Sequence, residues 1–296
     1  MGNRHVLSQS DAHFQHAERP LEPLIRLTIG EPRALAWVPG QEQLVVAARS
    51  GALSLVEPAF GSRTIEPLDF EPARMIIGEG RMAVVGRGGA LELRTFPEGQ
   101  PLWRVQTGLL AGFTLRWWRG GVAVVGDDAG MRRVIVHNLD GTIRARARVG
   151  ARTALGSTGD GHLMLARSTQ TGLVVVPFGK PLPDGPPTEH HLRFGENLSV
   201  VGAATGGVTV WAVPGSTPVN IKLYDVCNVA LSGDGERVAM GTRTGGVAIN
   251  SAKLGTGLRI NPARVEGHEG PVTAMEFSPK GRWLATAAER CIVWGF

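Results

Sequence analysis

The stretch GHEGPVTAMEFSPKGRWLATAAERCIVWGF, residues 267 to 296, alternates short apolar runs with tight polar turns. Val272-Thr273-Ala274 leads into the turn Phe277-Ser278-Pro279-Lys280-Gly281, and Leu284-Ala285-Thr286-Ala287 follows. After Glu289-Arg290 the chain returns as Cys291-Ile292-Val293-Trp294. Apolar runs this short, bounded by Gly, Pro and polar residues, read as β-strands joined by hairpins.

Moving upstream, the same apolar strand recurs. Its copies begin at Leu44, Met82, Val122, Leu163, Leu198, Val238 and Leu284, with spacings of 38, 40, 41, 35, 40 and 46 residues. A tight turn precedes each copy, as in PGQE at 39, GEGR at 78, GDGE at 233 and PKGR at 279. A second turn and another strand follow each, as in ALSLVEP at 52, LVVVPFG at 173 and VTVWAVP at 208. Seven copies at a period of about 40 residues predict an all-β, seven-bladed β-propeller of four-stranded antiparallel blades. A two-sheet sandwich would not impose seven evenly spaced copies with one internal order.

The second strand of each unit is continuously apolar, as expected for a strand covered on both faces. The last is polar and alternating, as in Thr142-Ile143-Arg144-Ala145-Arg146-Ala147-Arg148-Val149, and should lie at an outer edge. Pro181 and Pro183 fall at that place in the fourth unit, where an edge strand tolerates proline.

The C-terminal segment resembles a WD-repeat unit through Gly267-His268, the Ser278-Pro279-Lys280-Gly281 turn and Trp294. Elsewhere only the strand–turn skeleton is kept, with Ser232-Gly233-Asp234-Gly235 and Trp211 as the nearest echoes. The resemblance implies a hydrogen-bonded network within the blade from His268, Thr286 and Trp294. The family's turn Asp is absent, its turn reduced to Glu289-Arg290, and Gly295 replaces the Asp after the Trp, so that network is expected to be incomplete. The resemblance also implies a non-enzymatic scaffold for protein partners.

The seventh unit ends after its third strand, and Pro23-Leu24-Ile25-Arg26-Leu27-Thr28-Ile29 offers the missing fourth. An N-terminal strand completing the C-terminal blade would close the ring and protect its edge. The expected organisation is a polar, flexible tail over 1–22 and a single propeller domain over 23–296. Trp37 of the first unit aligns with Phe277 of the seventh and should be core, while Trp103 falls on an outer strand and should be partly exposed. Of Trp117 and Trp118, adjacent on a strand, one should face inward and one outward.

With 296 residues, 43% hydrophobic, the chain can bury a large core without disulfides, and its two cysteines make no disulfide framework. No apolar run reaches the roughly 20 residues of a membrane helix. The first residues show no signal peptide, and Val6 stands where myristoylation wants Ser or Thr. A cytoplasmic protein without membrane insertion is the expectation. The formal charge of +5 is carried almost wholly by arginine, a bias that GC-rich genomes impose and that points to a bacterial source.

No GxxxxGK[ST], HExxH, GxSxG or CxxC occurs, so no catalytic, cofactor or metal residue is assigned. Gly88-Gly89 and Gly206-Gly207 lie between strands and read as hairpin turns. His190-His191 would point to opposite faces of a strand, and His5, His13 and His16 belong to the tail with Asp11 and Glu18. Asp127-Asp128 could belong to a metal-dependent propeller enzyme, but the equivalent positions Arg87-Gly88 and Ser168-Thr169 add no ligands, so turn chemistry accounts for it better. Arg144, Arg146 and Arg148 share one strand face, with Arg132, Arg133 and Arg152 close in sequence. This strip either keeps an edge strand soluble or docks an acidic protein; nucleic acid is the lesser alternative.

Overall fold

The computed structural model describes residues 22–57, 61–118, 120–158, 162–169, 172–182, 191–194, 200–204, 207–211, 219–221, 223, 225–251 and 267–295. The chain opens with β1 (Glu22–Leu27), β2 (Pro32–Trp37), β3 (Leu44–Ala48), β4 (Leu53–Glu57) and β5 (Gly61–Ile65). Next come β6 (Pro72–Gly78), β7 (Arg81–Gly86), β8 (Ala90–Thr95) and β9 (Pro101–Gln106). β10 (Ala111–Trp118), β11 (Gly121–Asp128), β12 (Met131–Asn138) and β13 (Ile143–Val149) follow. Then come β14 (Ala154–Ser157), β15 (Leu163–Thr169), β16 (Gly172–Pro177), β17 (His191–Phe194), β18 (Val200–Ala204), β19 (Gly207–Trp211) and β20 (Val219–Ile221). The last are β21 (Val226–Leu231), β22 (Arg237–Thr242), β23 (Val247–Ser251), β24 (Ala274–Phe277), β25 (Trp283–Ala287) and β26 (Cys291–Gly295).

Among the described residues these strands form seven sheets. Six use consecutive strands: β2–β5, β6–β9, β10–β13, β14–β16, β17–β20 and β21–β23. The remaining sheet runs β1-β26-β25-β24, so the N-terminal strand is the outer strand of the C-terminal sheet. β1 pairs antiparallel with β26, Pro23 opposite Trp294 and Leu27 opposite Cys291, with a register shift between Pro23 and Ile25. The first strands β2, β6, β10, β14, β17, β21 and β24 neighbour one another in that order, and β24 meets β2 again. This is an all-β propeller arranged around a central channel.

The apolar pattern explains the circle. Side chains alternate across a strand, so a buried second strand must feed two interfaces. Val45 and Ala47 pack with Met75, Ile77, Met82 and Val84 of the following sheet. Leu44 and Val46 of the same strand pack with Ala285, Ala287, Cys291 and Val293 of the C-terminal sheet. Val84 and Val85 likewise divide between two clusters, as do Ala123 and Val124. The hydrophobic core is thus a set of clusters, each wedged between two consecutive sheets, rather than one central mass.

Several expectations change. The sheets β14–β16 and β21–β23 show three described strands each. Pro181 lies past the end of β16 in no strand, consistent with its lack of a ladder donor, and Pro183 falls outside the described residues. Trp117 and Trp118 are both half-buried, packed into the clusters on the two opposite faces of their own sheet. In a radial sheet both faces meet a neighbouring sheet, so neither position is simply outward. The proposed tail up to residue 21, with His5, His13 and His16, lies outside the described residues, as do Gly206 and His190.

Candidate functional site

The residues implied by the repeat resemblance do come together. Trp294 Nε1 donates to Thr286 Oγ1 at 2.8 Å, and His268 Nε2 lies 2.8 Å from the same hydroxyl. All three are buried. A strand hydroxyl can do this because it accepts from the indole and still offers its own hydrogen. The turn residue Glu289 places a carboxylate oxygen 3.5 Å from His268 Nδ1, a distance too long for a good hydrogen bond. Burial depresses the His268 pKa, and the nearby Glu289 carboxylate opposes that shift.

In the sheet β6–β9, other residues brace a seam between sheets. Arg94 is buried against Glu92, and its guanidinium also donates to the carbonyls of Glu66 and Pro67 at 2.8 and 3.0 Å. Those carbonyls belong to the connection between the first two sheets. Arg104 Nε donates to the same Glu92 at 2.7 Å.

The arginine strip divides. Arg144, Arg146 and Arg148 are exposed on β13, the outermost strand of its sheet, but a register shift between Ile143 and Ala145 takes Arg144 out of the regular alternation that Arg146 and Arg148 keep. Arg148 stands opposite Arg133, which pairs with Asp128 at 3.0 Å. The Arg144 guanidinium lies 4.1 Å over the Trp118 ring, an aromatic partner contributed by another strand. Arg132 points elsewhere: it donates to Asp127 at 2.8 Å, to the Thr153 carbonyl at 2.7 Å and to the Gly112 carbonyl at 3.0 Å. Arg152 sits in the turn before β14. Both carboxylates of Asp127-Asp128 are therefore held by arginines across the β11–β12 hairpin.

Sequence reading missed the channel. At the end where the first strands begin, a cavity of about 910 Å³ is lined by Arg33, Arg74, Arg87, Arg132, Arg152 and Arg243, with Asp127 as the acidic residue among them. Glu71 lies within 3.2 Å of Arg87 and 3.6 Å of Arg33, and Asp225 within 3.4 Å of Arg243, which moderates but does not cancel the positive charge. Leu110 lines the same mouth and is 63% exposed, more than any other large hydrophobic among the described residues. Trp37 is buried and caps the Glu276 carbonyl at 3.0 Å deeper inside.

A second cavity of about 530 Å³ continues along the channel to the turns at its opposite end, with Pro39, Gly40, Gly233 and Pro279 in its lining, and it shares Arg74, Thr114 and Asn228 with the first. Its charged lining residues among those described are Arg74, Arg116 and Glu276, from β6, β10 and β24. Arg116 reaches across the sheet β14–β16 to donate to the Phe194 carbonyl at 3.3 Å, besides the Leu115 carbonyl at 2.8 Å. Arg74 donates to the Ala73 carbonyl at 3.0 Å. Burial lowers the pKa of both guanidinium groups, and the Glu276 carboxylate acts against that on both. The available signal was a charge inside an apolar first strand: Arg116 between Leu115 and Trp117, Glu276 between Met275 and Phe277.

Radial antiparallel sheets around a central channel, with the N-terminal strand completing the C-terminal sheet, define a β-propeller. The chain is similar to the β-propeller domain of Cps50 (Swd1) from Myceliophteria thermophila, with a TM-score of 0.70 and 15% identity over 94% of this chain and 100% of that one. It is also similar to Raptor from Chaetomium thermophilum, with a TM-score of 0.69 and 11% identity over 97% of this chain and 30% of that one. At such identities the likeness is one of fold. No family model and no curated protein matches the sequence. Among the described residues, no helix is long and apolar enough to cross a membrane.

Proposed function

We propose that the chain is a seven-bladed WD-repeat scaffold, each sheet serving as one blade, without catalytic activity of its own. In this reading it is a subunit or adaptor of a larger complex and docks an acidic protein partner on the wide mouth of its channel. The observation that carries this is Leu110, 63% exposed among the arginines of the mouth. Arginine is enriched among interface hot spots, an exposed leucine among several arginines supplies apolar surface to bury, and surplus positive charge steers an acidic partner to it. The ring-closed unit expected over 23–296 takes in Glu22 as well, the first residue of β1. Unbridged Cys227 and Cys291 accord with a reducing compartment such as the cytoplasm.

The test is co-purification of the tagged chain from source cells beside a Leu110→Asp, Arg152→Glu variant. The wild type should retain a defined polypeptide in stoichiometric amount, and the variant should lose it while keeping its circular dichroism spectrum. A solitary monomer from wild-type extract overturns the reading.

A second reading rests on Arg144 stacked over Trp118, which gives the β13 strip an aromatic platform beside exposed arginines. If the strip binds nucleic acid, replacing Arg144, Arg146 and Arg148 by Ser should weaken binding and flatten its salt dependence. Unchanged affinity for a duplex or single-stranded oligonucleotide removes it.

A further inference from the structure

The geometry points to a small-oxyanion site inside the channel, where Arg74 and Arg116 clamp the phosphate or carboxylate group of a small molecule. The site lies deeper than the docking mouth and does not depend on it.

Two guanidinium groups and one carboxylate face the inner cavity, an excess of one positive charge among the described residues. A guanidinium carries five N–H donors in a planar fork. Arg74 directs one terminal nitrogen to the Ala73 carbonyl, and Arg116 uses its two terminal nitrogens on the carbonyls of Leu115 and Phe194. Backbone carbonyls orient these groups, and the Glu276 carboxylate offsets one of the two charges, which leaves one positive charge over where burial disfavours the charged form. A bound oxyanion would supply the missing acceptors through charge-assisted, bidentate contacts.

The surrounding strands show that the fold does not require these charges. In register with the second strands, Arg116 and Glu276 occupy the position that Ala36 and Ile76 occupy in the first two sheets. Arg74 stands where Thr114, Asn228 and Ala34 stand, two residues and about 6–7 Å further towards the mouth. Alanine or isoleucine fills the same sites elsewhere, so packing alone does not call for arginine. The cavity, at about 530 Å³, is of small-ligand size, and it opens towards the arginines of the mouth at one end and past Pro39, Gly40 and Pro279 at the other. A field of one sign along such a path concentrates anions.

The experiment titrates inorganic phosphate in one arm and succinate in the other against the full chain, at constant ionic strength set with sodium chloride. Calorimetry and the thermal midpoint are both read, since a ligand that binds only the folded state raises the midpoint. Saturable binding of one anion is expected, and which arm responds identifies phosphate or carboxylate chemistry. Arg74→Gln with Arg116→Gln should weaken it about tenfold or more; each single variant is read the same way if the pair does not fold. Glu276→Gln removes the opposing charge and should tighten binding, a change that mere loss of packing would not produce. Leu110→Asp should leave anion binding intact, so loss of the protein partner and loss of the anion are separable. If neither anion shifts the midpoint beyond chloride, or if the double glutamine variant keeps the shift, the site does not exist.

Discussion

His268 is buried between strands with its Nε2 on Thr286 and its Nδ1 facing Glu289 at 3.5 Å. Burial holds its pKa below the ordinary histidine value, so the folded protein prefers the neutral ring. The unfolded chain then takes up more protons just below that ordinary value, about 6.5. Stability from this group is complete above it and is lost as pH falls from it through the lower folded value. His137, also lowered by burial, acts in the same direction. Urea unfolding at about pH 7.5 and about pH 5.5 should show the loss, and His268→Gln should be less stable at the higher pH yet lose less on acidification. An undiminished loss in that variant would assign the effect elsewhere. The triad itself was legible because the repeat motif places its residues at recognisable positions. The Glu289 contact was not, since a two-residue turn in sequence does not reveal where its carboxylate swings. Nor were Arg74 and Arg116, which read as ordinary charges until ring geometry turned their strands toward the axis.

At the level of elements, the pairing of β1 with β26 closes the C-terminal sheet and covers an edge that would otherwise offer unpaired backbone groups. Ile25, Leu27 and Ile29 pack against the cluster of Leu35, Trp37, Ala285 and Val293. Leu27→Asp places a carboxylate in that contact and should cost about 1–3 kcal/mol. Size-exclusion chromatography should show self-association as β26 is released, and denaturant unfolding should give the loss. A monomer of unchanged stability would mean that β1 is dispensable. This closure was readable because an apolar strand without a partner stood at one end of the chain and a unit short of its outer strand at the other. The outer strand β13 was readable as well, from the strict alternation of arginine and small residues. Its stacking on Trp118 was hidden, because the tryptophan comes from β10, the strand at the other edge of the same sheet.

Across the whole molecule, hairpin turns clasp the next sheet's entry. Gly89 O accepts from Thr107 N at 3.0 Å, and Gly245 O accepts from His268 N at 2.9 Å. Both glycines have positive φ, 80° and 88°, and a Cβ on either would overlap the carbonyl oxygen of Leu109 or His268. Gly245→Ala should therefore destabilise, and by more than the roughly 1 kcal/mol by which the same change can stabilise at a compatible site. Hydrogen exchange should quicken first along β21–β26; uniform exchange would show that this clasp does not hold the seam. The sequence by itself determined the propeller, the phase of its strands and the terminal strand exchange, because apolar runs and turn residues are local and repeat with the blade. Only the tertiary structure decided which charges meet. Arg74, Arg116 and Glu276 lie far apart in the chain, and closing a circle of sheets brings their strands around one channel. The basic mouth with Leu110 has the same origin: its arginines come from separate turns and strands, and no short stretch of sequence contains them.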